Sequence, residues 1–271
     1  MVMEVRDPLL DAVLASGVKL PTLGGNLARL YAMACDDDAS PIELAAAISK
    51  DPALTGEFIR VANSPVFRTR TPARSVRAAI TFLGRTKTLA IITSNALRSQ
   101  LTGVSSKEVL AVWSTSAAVA DAAYHAAHAS RLRNLADLAY LAGLIHDVGI
   151  PILIHRFPDY ARHFDAATTV DSGALAADAA IGADHAVISA MVARNWKLPP
   201  EVVEGVTLHH RPSAIERAEP HGASLAILIA AGRRLHCGES PEWLVWAPLA
   251  AAHLGLDDAT LAKVADGLAG A

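Results

Sequence analysis

The chain has 271 residues, 52% of them hydrophobic but only 5% aromatic, and its 24 basic and 27 acidic side chains leave a net charge of −3. That length accommodates one large or two modest domains with real cores, and an Ala- and Leu-rich apolar complement favours helices over sheet. A sequence pI near 6.4 speaks against a dedicated nucleic-acid binder. No apolar run approaches the about 18–20 residues needed to cross a bilayer. The opening MVMEVRDPLL carries two acids and a proline where a signal peptide needs a basic and then an apolar stretch. Cys35 and Cys237 are too far apart for a metal-binding spacing. A cytoplasmic protein without membrane attachment is expected.

In chain order, helix starts are marked by a side-chain acceptor followed by proline: Asp7-Pro8, Ser40-Pro41, Asp51-Pro52 and Ser240-Pro241. The acceptor satisfies an orphan N–H at the first turn, and proline has none to lose. Ser40 and Glu43 form a capping-box pattern. Helical spacing of apolar residues predicts helices over 8–16, 23–35, 41–49, 52–63, 75–83, 85–101, 107–131, 135–147, 150–156, 173–181, 184–197, 200–210, 223–236, 241–253 and 258–269. Gly17 and Gly84 read as helix stops. No segment alternates as a strand does, so the chain reads as all-α. Gly103-Val104-Ser105-Ser106 is the best linker, dividing the chain into 1–102 and 107–271.

Charge is unevenly spread. Between Phe58 and Lys107 there is no Asp or Glu but nine basic residues, among them Arg60, Arg68, Arg70, Arg74 and Arg77. The planar guanidinium fork suits phosphates and carboxylates alike, so these five are candidates for a phosphate-bearing ligand or an acidic partner. The favoured reading of the same residues is that they are solvated or paired within the fold, with Asn63-Ser64-Pro65 a structural turn.

Chemistry concentrates at Gly143-Leu144-Ile145-His146-Asp147-Val148-Gly149. An imidazole and a carboxylate side by side at the end of an apolar helix are suitable ligands for a divalent cation. Asp184-His185 opens a later predicted helix and His209-His210 closes the one after it. Converging helix ends would gather His146, Asp147, His185, His209 and His210 around one cavity.

Taken together, several segments resemble the HDOD family. They are Leu20-Pro21-Thr22-Leu23, Asp51-Pro52-Ala53-Leu54, Arg60-Val61-Ala62-Asn63-Ser64, Ala79-Ile80-Thr81-Phe82-Leu83-Gly84, Gly143 to Gly149, Asp184-His185-Ala186, Trp196-Lys197-Leu198-Pro199 and His209-His210. The resemblance implies an N-terminal helical subdomain packed on a C-terminal HD-like bundle. The wider HD superfamily contains metal-dependent phosphohydrolases whose first His lies in a Trp-x-His-Ser-like context and whose last Asp lies in an apolar late helix. Here those places read Trp113-Ser114-Thr115-Ser116 and Leu228-Ile229-Ala230-Ala231-Gly232, so Thr115 and Ala231 stand at degenerate ligand positions. Ile150 also stands where many HD enzymes carry Lys.

The resemblance thus implies a signalling module, non-catalytic or weakly active, that requires no cofactor and acts through proteins in trans or a nucleotide or other phosphate-bearing ligand. A metal-dependent phosphohydrolase acting on a nucleotide or cyclic dinucleotide is the alternative, with His146 and Asp147 as candidate catalytic residues. By the same resemblance, Asp147, His185, His209 and His210 match a second metal site, suited to Zn²⁺, Fe²⁺, Mn²⁺ or Ni²⁺. Two readings of that set stand side by side: a residual metal site, or a hydrogen-bonded polar cluster left by an ancestral one.

Overall fold

The computed structural model describes residues 20–21, 25–36, 38–64, 67, 72–100, 107–163 and 170–269, and among them there are thirteen α-helices and no strand. The chain begins with α1 (Gly25–Cys35), α2 (Pro41–Ile48), α3 (Pro52–Ala62) and α4 (Val76–Gln100). It continues with α5 (Lys107–Ala129), α6 (Ala136–Ile145), α7 (Gly149–Arg156), α8 (Val170–Ile181), α9 (His185–Asn195) and α10 (Pro200–Leu208). It ends with α11 (Pro220–Cys237), α12 (Pro241–Leu249) and α13 (Asp258–Ala269). The expected helix over 8–16 and the linker at 103–106 lie outside the described residues.

Two of the sequence-read caps form as expected. Asp51 accepts from the N–H groups of Ala53 and Leu54, and Ser240 from that of Trp243. Ser40 does not: its backbone is extended and proline follows, but its side chain makes no capping bond, so the expected capping box is absent. Gly84 breaks α4 with φ 75° and ψ 178°, values only glycine adopts easily, which accounts for the two helices expected there. Short 3₁₀ turns at Arg133–Leu135, Pro158–His163 and Pro212–Arg217 were not expected. Such turns are too short to produce a periodic pattern.

An N-terminal helical layer packs on a C-terminal bundle. α4 gathers α1, α2 and α3 on one side and meets α6 on the other. The bundle is built around α6, which is flanked by α5, α10 and α11. Eight of its ten residues are buried, Tyr140, Leu141, Leu144 and Ile145 among them, as a centrally placed helix requires. Small residues allow the close contact: a Cβ on Gly143 would lie 2.7 Å from Ala120 Cα, and one on Gly232 2.7 Å from the Val119 carbonyl oxygen.

The two layers are pinned by polar contacts. Buried Lys87 of α4 pairs with Asp137 of α6 and lies over the rings of Tyr124 and Phe67. Tyr31 of α1 donates to the Trp196 carbonyl, while the Trp196 indole N–H donates to the Pro21 carbonyl at 2.9 Å. The expectation of no apolar run of spanning length needs correction. Helical residues Arg133–Arg156 reach that length and hydropathy, but 89% of the window is buried inside the protein. This stretch is the core, broken by the His146-Asp147 turn.

Candidate metal centre

His146 and Asp147 occupy the tight turn between two buried helices. α6 ends at Ile145, the Ile150 N–H bonds to the Asp147 carbonyl at 3.0 Å, and α7 begins at Gly149. Because the turn has core helices on both sides, its side chains project inward: His146 and Asp147 are 0% and 2% exposed. The other imidazoles also come from helix ends. His185 opens α9 behind the Asp184 cap, whose carboxylate accepts from the Val187 N–H. His209 follows the last residue of α10, and His210 follows it.

Each ring is held by its Nδ1. His146 Nδ1 is 2.7 Å from the Gly143 carbonyl, and His209 Nδ1 is 2.6 Å from the Val206 carbonyl. A carbonyl only accepts, so both Nδ1 atoms carry the proton and, in the neutral rings, both Nε2 atoms carry a bare lone pair. His185 Nδ1 lies 2.6 Å from Asp178 Oδ2, which also accepts the His185 backbone N–H; Tyr160 donates to the other Asp178 oxygen at 2.7 Å. His210 Nδ1 lies 2.8 Å from Glu242 Oε1. A carboxylate or carbonyl behind the imidazole fixes ring and tautomer, as it does around metal-bound histidines.

All of this is aimed at one carboxylate. Asp147 Oδ1 faces His185 Nε2 at 3.3 Å and His209 Nε2 at 3.4 Å, while Oδ2 faces His146 Nε2 at 3.1 Å. Ligand atoms of Asp147, His185, His209 and His210 all lie within 4.8 Å of one another. His146 is brought to the same carboxylate but belongs to its other oxygen and stands outside that group of four. Asp147 Oδ1 and the Nε2 atoms of His146, His185 and His209 are buried without a hydrogen-bond partner. A cation among them would satisfy these atoms, so the residues fit a divalent metal. Bonds of about 2.0–2.1 Å from zinc to nitrogen or oxygen imply tetrahedral edges of about 3.3–3.5 Å, which match the two Oδ1 separations.

Electrostatics divide the set. Burial alone would raise the Asp147 pKa, but His146, His185 and His209 outweigh it and hold the carboxyl well below its usual range. Burial pushes His209 down to about 4. Burial, together with His209 and Arg233, also lowers His210 well below the usual value. His185 goes the other way: burial opposes its charge, but the carboxylates of Asp147 and Asp178 raise it to about 10. Without a metal the set holds anionic Asp147, neutral His209 and His210, and a His185 imidazolium between the Asp147 and Asp178 carboxylates, so a cation bound here would displace the His185 Nε2 proton.

The degenerate positions are placed differently from each other. Ala231 is wholly buried in α11 and offers only a methyl group. Thr115 on α5 is half-buried, while its neighbour Ser116 is on the buried face. Of the arginines, Arg60 is held by Glu57 in a two-pronged pair, with Nη2 2.7 Å from Oε1, and Arg74 and Arg77 are exposed. Arg68 and Arg70 lie outside the described residues. Sequence reasoning missed Asp178 and Glu242, the carboxylates behind His185 and His210. Asp178 had one legible signal, a lone acid in Ala176-Ala177-Asp178-Ala179-Ala180, whereas Glu242 reads as an ordinary acid in the first turn of a helix.

An HDOD domain protein from Geobacter sulfurreducens superposes with a TM-score of 0.69 at 23% identity, covering 96% of this chain and 95% of that one. A Shewanella amazonensis SB2B protein, provisionally named a phosphohydrolase, gives 0.70 at 24% identity over 95% and 93%. A Marinobacter aquaeolei VT8 protein, provisionally named a signal transduction protein, gives 0.69 at 23%, with 94% of this chain covering 58% of that one. At these identities the likeness is one of fold. No curated protein matches the chain. The HDOD domain profile matches residues 20–212, and the chain belongs to the HDOD family.

Proposed function

We propose that this protein is a non-catalytic regulatory HDOD module of the cytoplasm whose residual HD site holds one divalent metal ion as part of its structure. The observation that carries the reading is the convergence of four donors, buried Asp147, His185 and His209 and partly buried His210, on one point. Four protein donors are the pattern of a structural metal; a hydrolytic centre keeps a position open for water or substrate. When bound, the ion would supply Lewis acidity and cross-link the α6–α7 turn to α9 and α10. Asp147 would serve it through Oδ1, and Asp178 and Glu242 would orient His185 and His210.

The second reading, a phosphohydrolase, draws on His146, whose buried Nε2 faces the remaining oxygen of Asp147. Two donors do not make a second site, and the positions that would complete it carry a hydroxyl and a methyl. The output then passes through protein contacts in trans or a phosphate-bearing ligand, with exposed Arg74 and Arg77 as candidate contacts. Hydrolysis of an aryl phosphodiester by protein loaded with Mn²⁺, Fe²⁺, Ni²⁺ or Zn²⁺ tests the proposal. Rates equal to those of the His146→Ala variant are expected, and metal-dependent turnover lost in that variant would overturn it.

A further inference from the structure

His210 is the one member of the four-donor set whose ring is held by a distant element. Its Nδ1 lies 2.8 Å from Glu242 Oε1, in the first turn of α12. That contact requires a proton on Nδ1, so Arg233 Nη1, 3.3 Å from the same atom, is a neighbour rather than a donor to it. Arg233 instead holds the other carboxylate oxygen, with Nη2 2.9 Å from Oε2, and the Trp246 indole N–H reaches back to Oε1 at 3.4 Å. A single carboxylate thus joins the histidine cluster to α11 and to the next turn of α12.

α12 itself is weakly built. It has nine residues, contains Pro248, and runs directly into a π-helical turn at Ala250–Leu254. Proline removes a backbone hydrogen bond inside the helix, and π-turns strain the ladder further. Trp243 and Trp246 anchor its inner face, while Leu244 and Val245 remain 69% and 55% exposed. An element with so little stability of its own depends on its few polar anchors.

We infer that Glu242 ties α12 to the metal centre, so that a divalent ion on His210 fixes α12 in place and its removal loosens that helix. A bound cation polarises the imidazole, which strengthens the Nδ1–H bond to a carboxylate. The tightened Glu242 in turn holds Trp246 and the start of the helix. The inference rests on the metal-binding reading above and adds a route by which occupancy reaches the surface.

Hydrogen exchange of α12, read by mass spectrometry with Zn²⁺ or with EDTA, tests it, alongside Zn²⁺ stoichiometry on the same samples. The expected result is binding of Zn²⁺ with exchange at 243–249 slowed by about tenfold or more. Glu242→Gln should still bind Zn²⁺, about 10–100-fold more weakly, and at saturation leave α12 exchange unresponsive. Zn²⁺ bound by the wild type with α12 exchange unchanged overturns this inference and leaves the metal reading intact. No Zn²⁺ bound by the wild type overturns both. The wild-type comparison stands even if the variant does not fold, and Trp246→Phe serves as a second variant whose Zn²⁺-dependent α12 protection should be reduced and whose undiminished protection would count against the Trp246 link.

Discussion

Gly149 lies so close to His185 that a Cβ on it would be 2.2 Å from the His185 carbonyl oxygen. The Gly149 N–H donates to Ser189 Oγ at 2.8 Å, and that hydroxyl donates to the same carbonyl at 2.9 Å. The glycine after the His-Asp pair therefore seats the α9 imidazole against the Asp147 carboxylate. Gly149→Ala should destabilise the protein by about 1–3 kcal/mol, the scale of an overpacked core. Thermal melts by circular dichroism read the change, and a Tm equal to that of the wild type would refute the close-packing argument.

Asp147 is the hub of the set. Zn²⁺ at about a hundred times its dissociation constant should stabilise the wild type by about 2.7 kcal/mol. For a chain of this size that is a Tm rise of roughly 5–10 °C. Asp147→Asn should abolish the rise, because the amide supplies no charge and one weak donor. A variant that responds to Zn²⁺ as the wild type does would remove Asp147 from the centre.

Asp178 acts through His185. Asp178→Ala should weaken Zn²⁺ binding by about 10–100-fold without altering the stoichiometry at saturation. Calorimetric titration separates the two quantities. An unchanged affinity would show that the 2.6 Å contact only packs.

How much of this was legible follows from what each residue does locally. Asp51-Pro52 and Ser240-Pro241 announce their helices because cap and proline act within one turn. His146, Asp147, His185, His209 and His210 stood out because helix termini in an apolar chain rarely carry so many ligating groups. Asp178 and Glu242 did not, since an acid on a helix looks solvated until another helix is placed over it. The missing Ser40 cap is the same lesson in reverse: the sequence offers the acceptor, and the structure leaves it unused.

Asp121, on α5, gives a pH dependence outside the metal centre. Burial raises its pKa to about 7 from 3.8, with Arg60 opposing. The folded state therefore keeps a proton that the unfolded chain releases above its own pKa, so stability falls as pH rises from about 4 to about 7 and stays lower beyond. Asp121→Asn should leave stability near pH 4 unchanged and raise it at pH 8 by up to about 4 kcal/mol, at about 1.4 kcal/mol per unit. Urea denaturation at the two pH values reads the difference. A gain of equal size at both would mean that charge burial is not its source.

The central claim is one closed metal centre in place of a two-metal hydrolytic one, and metal content measures it most directly. Mass spectrometry on untagged protein, prepared without chelator and dialysed against Zn²⁺, should give about one ion per chain, falling to near zero in Asp147→Asn. Near zero in the wild type would return the histidines to a purely structural role. About two ions per chain would mean that His146 and Asp147 Oδ2 build a second site despite Thr115 and Ala231, and would contradict the non-catalytic reading.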